Sequence, residues 1–231
     1  MDLPPLFSPL ASAGADPFAV AVAEARAGCD AGLVVYDFDH ERLRAAIVFA
    51  PEVTLSQAVI MLPLCGIGFQ NALGALGPPE VAVHLGWDGT LRVNGAVCGT
   101  LSMAAAPRDP GAEPDWLVIS LDLALWAPMG DTGLTPDTTT LAAEGCGDVE
   151  PGVLLPAWLR HTLVWLTTWE DEGNAPLHRE WIGLAHGIGT DTVILGQAGH
   201  FTGVDADFGL LLKTQGGTRL LPLSDVIRDV P

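Results

Sequence analysis

The side chains in this sequence that could carry covalent chemistry are a few cysteines and histidines. Cys98 could act as a nucleophile if a neighbouring base lowered its pKa, and His84 is the candidate base. A buried structural cysteine is the simpler interpretation, because free cysteine usually behaves as a small apolar residue. Long and unequal spacings, typical of neither a zinc ribbon nor a redox pair, separate Cys29, Cys65, Cys98 and Cys146. We therefore predict reduced, buried thiols in a cytoplasmic protein.

Metal and nucleotide sites have weaker support. Neither His161 nor His186 has acids or other histidines at metal-ligand spacing, so we predict no metal site. Asp205 and Asp207 are typical of a solvated turn. The glycines of Gly66–Gly68 lie within an apolar helical pattern rather than after a strand, which argues against a dinucleotide loop.

The balance of charges limits which anions the protein can hold. Twenty-eight acidic residues against ten basic ones give a net charge of −18, which opposes binding to nucleic acid and to anionic membranes. Nine of the basic residues are arginines, and Lys213 is the single lysine. Any mechanism that needs a lysine in the first two hundred residues is therefore excluded.

The elements in the first half of the chain follow from local signals. Residues 1–15 predict an irregular lead-in, and Asp16-Pro17 predicts a helix start, with the helix running to Arg26. Residues 32–36 and 43–49 predict two strands joined by a polar turn at 37–42. Thr54–Gln57 is typical of a capping box that opens a buried helix, which glycines and a proline kink or break before it ends near Leu76.

The second half is richer in strands. Asp88-Gly89 and Asn94-Gly95 suit two-residue hairpin turns, so residues 81–104 predict a three-stranded antiparallel meander. Residues 116–125 predict a further strand, and 127–150 a loop. Apolar residues at helical spacing predict a helix over 153–172, ended by Gly173-Asn174. Four short strands after residue 189 predict a small all-β domain.

This order of elements resembles the superfamily of biotin protein ligases, lipoate ligases and octanoyl transferases. The best local match, His84–Leu101, looks like the ligase segment K-W-P-N-D followed by a strand, a turn and K-x-x-G-I-L. Trp87, Asp88, Gly99 and Leu101 fall on matching positions, with one residue deleted after the tryptophan. Residues 115–124 resemble the family strand G-x-G-I-N-V, and 203–212 are similar to the small C-terminal barrel of biotin ligases.

The resemblance implies the fold and a place for a ligand. The fold would be α+β, with a ligase-like mixed sheet and helices in residues 1–182 and a small SH3-like β-barrel in residues 183–231. The residues that match the family motif predict a ligand pocket lined by Trp87, Asp88, Ala96 and Gly99.

This sequence, however, lacks the residues that the family uses for catalysis. A ligase of this kind joins a carboxylate to ATP, and it uses a G-R-G-R-x-x-R loop and the lysine of K-x-x-G to hold the two anions together. Residues 37–42 stand at the loop position with three acids and no glycine, and Ala96 stands at the lysine position. Gly86 replaces the lysine of K-W-P-N-D, whose asparagine is also missing. No cysteine stands just before residues 116–125, where octanoyl transferases carry their nucleophile. We therefore predict no catalytic residue.

Three hypotheses remain open. The first is a catalytically degenerate ligase-like protein that binds a small acyl or cofactor-like ligand and needs no cofactor. The alternative is a divergent ligase or acyltransferase with relocated catalytic groups, which would use biotin, lipoate or ATP. The third is an interaction protein that forms a homodimer, or contacts an acyl carrier, through a sheet edge or the barrel. A cationic, glycine-lined pocket beside Ala96 would favour the enzyme, whereas an acidic or filled one would favour the binder.

Overall fold

The computed structural model describes residues 3–127 and 137–229. Its helices and strands alternate in the first half of the chain, and strands dominate the last forty residues. In chain order the elements are β1 (Ser8–Ala11), α1 (Pro17–Arg26), β2 (Leu33–Phe38), β3 (Arg42–Phe49), α2 (Leu55–Ala58), α3 (Met61–Leu76), β4 (Val83–Leu85), β5 (Thr90–Val93), β6 (Ala96–Ala106), β7 (Trp116–Ala124), α4 (Pro151–Glu172), α5 (Asn174–Leu184), β8 (Asp191–Ile194), β9 (Gln197–Val204), β10 (Leu210–Thr214) and β11 (Gly217–Leu221).

Two sheets organise these elements. The large sheet has the strand order β1-β2-β3-β7-β6-β5-β4 and is antiparallel except for the parallel pair β1–β2. The small sheet has the order β11-β10-β9-β8 and is antiparallel throughout. The α+β fold, with a mixed sheet, helices and a small barrel-like C-terminal domain, is confirmed.

The two faces of the large sheet are covered unequally. Alternate residues of its strands form the main core with α3, α4 and α5. On the opposite face α1 packs on a smaller apolar cluster that includes Val35, Ala46 and Trp116. Since α1 is only 10 residues long, much of this second face has no helix above it. We call it the α1 face.

Local signals placed most of the elements well. The Asp16 carboxylate accepts a hydrogen bond from Phe18 N at 3.2 Å, which fixes the start of α1 as predicted. The meander β4-β5-β6 is confirmed, and Asn94 and Gly95 take the positive φ values of 49° and 95° that its second turn requires.

Other predictions were wrong in detail. Residues 8–11 are not part of an irregular lead-in, because β1 pairs with β2 along its whole length. The capping box does not form: the Thr54 hydroxyl donates to the Gln57 side chain at 3.0 Å, while Leu55 N donates to Ala112 O.

Helix α5 was missed, since Gly173 turns the chain and a second helix starts directly behind it. The predicted turn at 37–42 is shorter, because β2 continues to Phe38 and β3 begins at Arg42.

The long apolar segment is a core helix in two pieces. By length and composition Leu55–Leu76 could cross a membrane, but 72% of its most apolar window is buried inside the protein. The break between α2 and α3 lies at residues 59–60, before the proline and glycines that predicted it. Of the predicted loop 127–150, residues 128–136 lie outside the described residues, and 142–146 form one irregular helical turn.

Candidate functional site

Three neighbouring strands place polar side chains on the α1 face. Each carries a polar–leucine–polar triplet, and the three triplets are Arg42-Leu43-Arg44 on β3, Ser120-Leu121-Asp122 on β7 and Thr100-Leu101-Ser102 on β6. The leucines belong to the main core on the other side of the sheet. Because side chains alternate along a strand, the flanking polar residues emerge together on the α1 face. Asp122 is the register partner of both Arg44 and Thr100, and Ser120 is that of Ser102.

These side chains line two adjoining hollows. The first, which we call the inner pocket, has a volume of about 280 Å³ and lies between the start of α1, Ser102, Ser120 and Arg228. The second, the outer cleft, has a volume of about 620 Å³ and is bounded by residues from β6, β7 and the stretch 138–144. Thr100 and Asp122 line both hollows. We call the two together the trough.

Both arginines of β3 are held by aspartates. Asp122 Oδ1 accepts hydrogen bonds from Arg42 Nε at 3.0 Å and from Arg42 Nη2 at 2.7 Å. Arg44 Nη2 is ion-paired with the carboxylate of Asp37. Each guanidinium therefore has a carboxylate beside it, which leaves little net positive potential for a phosphate at this end of the trough.

The β2–β3 turn lies where the resemblance to the ligases predicts a phosphate-binding loop. Asp39 closes the turn, since its carboxylate accepts hydrogen bonds from Arg42 N at 2.9 Å and Glu41 N at 2.8 Å. These backbone donors hold the pKa of the Asp39 carboxyl below its ordinary value. The Asp39 side chain therefore occupies two backbone N–H groups of this turn.

The structure separates the four residues predicted to line a pocket into two pairs. Ala96 and Gly99 lie in the outer cleft. Trp87 is only 4% exposed, and its indole Nε1 donates to Phe208 O at 2.7 Å, so it packs against the small domain. Asp88 is exposed and accepts a hydrogen bond from Thr90 N within its turn.

Gly99 is required by close packing of the sheet. A Cβ atom at this position would come within 2.6 Å of Asp122 O. The glycine therefore lets β6 and β7 approach beside the residue that joins the two hollows.

The charges around Ala96 are mostly negative. Glu41, Asp122 and Glu144 line the outer cleft, and Arg42 is the cation among its lining residues. Glu144 also accepts hydrogen bonds from Thr139 Oγ1 at 2.6 Å and Asn94 Nδ2 at 2.8 Å. The cleft beside Ala96 is therefore acidic.

Cys98 has the environment of a structural thiol. It is 2% exposed, and its thiol donates to Ala124 O at 3.5 Å. Burial, followed by the nearby Cys146 and Glu144, raises the pKa of the Cys98 thiol to about 12. His84 Nδ1 is buried with no hydrogen-bond partner among the described residues, so it makes no hydrogen bond to the Cys98 thiol.

The backbone at His186 attaches the segment between the two sheets to the large sheet. His186 N donates to Leu85 O at 2.8 Å, which attaches the linker to the edge strand β4. Burial, then Arg92 and His84, lower the pKa of the His186 imidazole. Within residues 3–127 and 137–229, no group of three or more histidines, cysteines and acids could hold a metal ion. Asp205 accepts from Asp207 N and Gly209 N, as a turn-forming aspartate does.

Sequence reasoning missed several residues of the trough. The triplet pattern contains the signal for Ser102, Ser120 and Asp122, because each stands next to a core leucine on a predicted strand. Arg228 gave no such signal. Its guanidinium reaches the inner pocket from a distant part of the chain, 126 residues after Ser102.

Comparisons with known proteins agree with this fold. The sequence model described as "Biotin/lipoate A/B protein ligase family" matches residues 3–183. A second model, described as a domain of unknown function, matches residues 188–229.

Individual relatives show the same likeness. A biotin protein ligase-like protein of unknown function from Silicibacter sp. TM1040 is 54% identical, with a TM-score of 0.93 and 99% coverage of both chains. The biotin protein ligase of Aquifex aeolicus, solved in complex with biotin and ATP, is 14% identical, with a TM-score of 0.72 over 93% of this chain and 95% of that chain. A biotin–[acetyl-CoA-carboxylase] ligase from Paracoccus denitrificans is 23% identical over 190 residues, which cover 78% of this chain and 77% of the relative.

Proposed function

This chain belongs to the biotin/lipoate A/B protein ligase family, and from that premise we propose that it is a non-catalytic relative that binds a small ligand in the trough. The scaffold is kept, and the adenylating function is lost. The ligand would lie on the α1 face of the large sheet, over the polar residues that β3, β6 and β7 share.

The pairing of the β3 arginines carries this proposal. Adenylation brings the carboxylate of an acid against a triphosphate, so the site must gather positive charge. Arg42 and Arg44 each have an aspartate within ion-pairing distance. Their charge is already balanced before any phosphate arrives.

The neighbouring acids strengthen the argument. Two unit charges 4 Å apart interact by about 4 kcal/mol at the effective dielectric of a protein surface. A triphosphate in the outer cleft would meet Glu41 and Glu144 as well as Asp122. No lysine can offset these acids, because Lys213 lies on β10 of the small sheet. This acidic cleft beside Ala96 favours a binding protein over an enzyme.

Ligand binding and turnover can be measured separately. We expect isothermal titration to detect at least one of biotin, lipoate and octanoate, and to detect no heat from ATP. An assay for pyrophosphate release should stay at background with each acid plus ATP. Release of pyrophosphate above that background would reject the proposal in favour of a ligase with relocated groups.

A variant pair tests where the ligand lies. Ser120→Leu adds apolar volume at a wall of the inner pocket, so it should abolish binding of whichever acid the wild type takes. Ser56→Leu makes the same change on the exposed surface of α2 and should leave binding unchanged. Thermal unfolding of both variants checks that the fold is intact. Unchanged binding by a folded Ser120→Leu variant would move the ligand out of the trough.

A further inference from the structure

The chain after β11 returns to the large sheet. A short turn at Leu223–Val226 leads into Ile227, which forms a bridge with Met103 of β6, and Arg228 N donates to Met103 O at 2.8 Å. Leu223 is 3% exposed and belongs to the main core. We call residues 223–229 the strap. It continues the large sheet at the edge of β6, past the point where β5 ends.

The strap carries an arginine to the inner pocket. Arg228 Nη1 donates to the Ser102 hydroxyl at 3.1 Å, and the guanidinium carbon lies 5.9 Å from the centre of the Phe18 ring. The side chain therefore spans from β6 to the first turn of α1 and forms one wall of the pocket.

Arg228 differs from the two β3 arginines, since it has no acidic partner among residues 3–127 and 137–229. Among the described residues, no carboxylate lies within ion-pairing distance of its guanidinium. The aspartate beside it in sequence, Asp229, pairs with Arg108 at 2.7 Å instead. A guanidinium offers five donors, and Ser102 takes one of them.

A second arginine of the inner pocket also has an unused donor. Arg44 Nε is buried and has no hydrogen-bond partner among the described residues. Ser120, which is 8% exposed, lines the same pocket with a hydroxyl. The two carboxylates of the pocket are engaged, Asp16 by Phe18 N and Asp122 by Arg42. The pocket thus holds unused donors on Arg228 and Arg44, and buried donors without partners are costly to leave unpaired.

From these unused donors we infer that Arg228 is a specificity-determining residue that binds the carboxylate of a small organic acid in the inner pocket. The carboxylate of the ligand supplies acceptors for these donors, and Arg–carboxylate pairing is among the stronger polar contacts in proteins. Pro17 and Phe18 offer apolar contacts to its body. A volume of about 280 Å³ limits that body to a short one. The inference rests on the proposed function, since it specifies the ligand of the same trough.

Two probes of equal size isolate the head group. Hexanoate and hexanamide differ in charge but hardly in shape, and titration of the full-length protein by NMR gives the affinity of each. We expect the wild type to prefer hexanoate by at least about tenfold. Arg228→Gln should remove this preference, and Arg228→Lys should keep part of it.

Arg219→Gln is the matched control. Arg219 is also an arginine of the small domain whose side chain donates to a neutral group, Gln197 Oε1, at 3.2 Å. It lies on β11, outside the residues that line the inner pocket. The change in net charge is the same, so this variant should keep the preference for hexanoate.

Salt separates a charge contact from a structural effect. The wild-type preference should shrink between about 0.01 and 1 M salt, as the Debye length falls from about 30 to 3 Å. Arg228→Gln should show no such dependence, and its thermal unfolding reports whether the strap stays docked.

Equal binding of hexanoate and hexanamide, or of neither, would overturn the role of Arg228, as would an unchanged preference in Arg228→Gln. The proposed function would survive these results if biotin, lipoate or octanoate still bound and Ser120→Leu abolished that binding. Loss of both would reject the two ideas together.

Discussion

At the scale of single residues, Asp122 contributes a negative charge where the two hollows of the trough meet. It lines both hollows and accepts two hydrogen bonds from Arg42, so it neutralises the cation nearest the outer cleft. A single carboxylate thereby works against a phosphate in two ways, by its own repulsion and by occupying Arg42.

Asp122→Asn should therefore strengthen anion binding. Removing the carboxylate frees Arg42, and we expect affinity for inorganic triphosphate to rise roughly fivefold, equivalent to about 1 kcal/mol. Stability should change by no more than about 1 kcal/mol, because the side chains of the pair are about half exposed. Titration calorimetry at low salt measures the gain. Asp171→Asn, on the exposed surface of α4, changes net charge equally; a similar gain there would show that Asp122 has no special role.

The buried thiol of Cys98 predicts a dependence of stability on alkaline pH. Its pKa is 9.0 when unperturbed and about 12 in the folded protein, mainly because burial disfavours the thiolate. Above pH 9 the unfolded chain loses this proton and the folded chain keeps it, so stability falls as pH rises from 9 towards 12. The limiting slope is about 1.4 kcal/mol per pH unit.

Cys98→Val tests this dependence directly. The variant lacks the ionisable group, so its free energy of unfolding should fall less steeply with pH than that of the wild type. Urea unfolding at several pH values between about 8 and 10.5, the range in which the thiol of the unfolded chain ionises, gives both slopes. Identical slopes would contradict the assignment of a high pKa to Cys98.

At the scale of elements, Gly68 allows α3 and α4 to approach closely. A Cβ atom at Gly68 would lie 2.8 Å from Thr162 Oγ1 and 3.0 Å from Thr162 N. The glycine that resembled a nucleotide motif in the sequence is therefore a packing residue between two helices.

Gly68→Ala should destabilise the protein by about 1–3 kcal/mol, because the backbone of α4 cannot move away without disturbing the core. Gly74→Ala, on the same helix, is the control, since its new Cβ would meet nothing nearer than Gln70 Nε2 at 3.8 Å. That change should be neutral or stabilising by up to about 1 kcal/mol. Urea unfolding compares the two, and equal effects would refute the packing argument.

The elements also show what sequence could and could not predict. The meander was predictable because Asn94-Gly95 specifies its turn locally. Strand β1 was not, because four residues with mostly exposed side chains carry no periodic signal, and their pairing with β2 depends on chain that follows α1. The segments that carry the triplets on β3, β6 and β7 were predictable as strands. Their order in the sheet was not, because it depends on the topology of the whole sheet. Trp87 and Asp88 were placed beside Ala96 by resemblance to a motif, whereas Trp87 packs on the small domain.

At the scale of the whole molecule, Trp87 connects the two sheets. Its indole Nε1 donates to Phe208 O, and Trp181 and Phe208 pack edge-to-face with ring centres 5.8 Å apart. The junction is therefore an apolar contact with a buried hydrogen bond inside it.

Trp87→Phe should lower the free energy of unfolding by about 1–3 kcal/mol, because the buried carbonyl of Phe208 would lose its hydrogen-bond donor. Trp126→Phe is the control, because Trp126 is 43% exposed and stacks on His40 at the surface. Its effect should stay within about 0.5 kcal/mol. Thermal unfolding measures both, and a ligand titration of Trp87→Phe that matches the wild type would place this tryptophan outside the binding site.

Because the strap lies near the end of the sequence, the large sheet and the inner pocket can form at different times during synthesis. Residues 8–124 contain every strand of the large sheet, so that sheet can form early as the chain leaves the ribosome. Arg228 must wait until the four strands of the small sheet have been synthesised. The nascent protein would thus acquire its scaffold before the inner pocket is complete, and the carboxylate affinity that we propose would be among the last properties to develop.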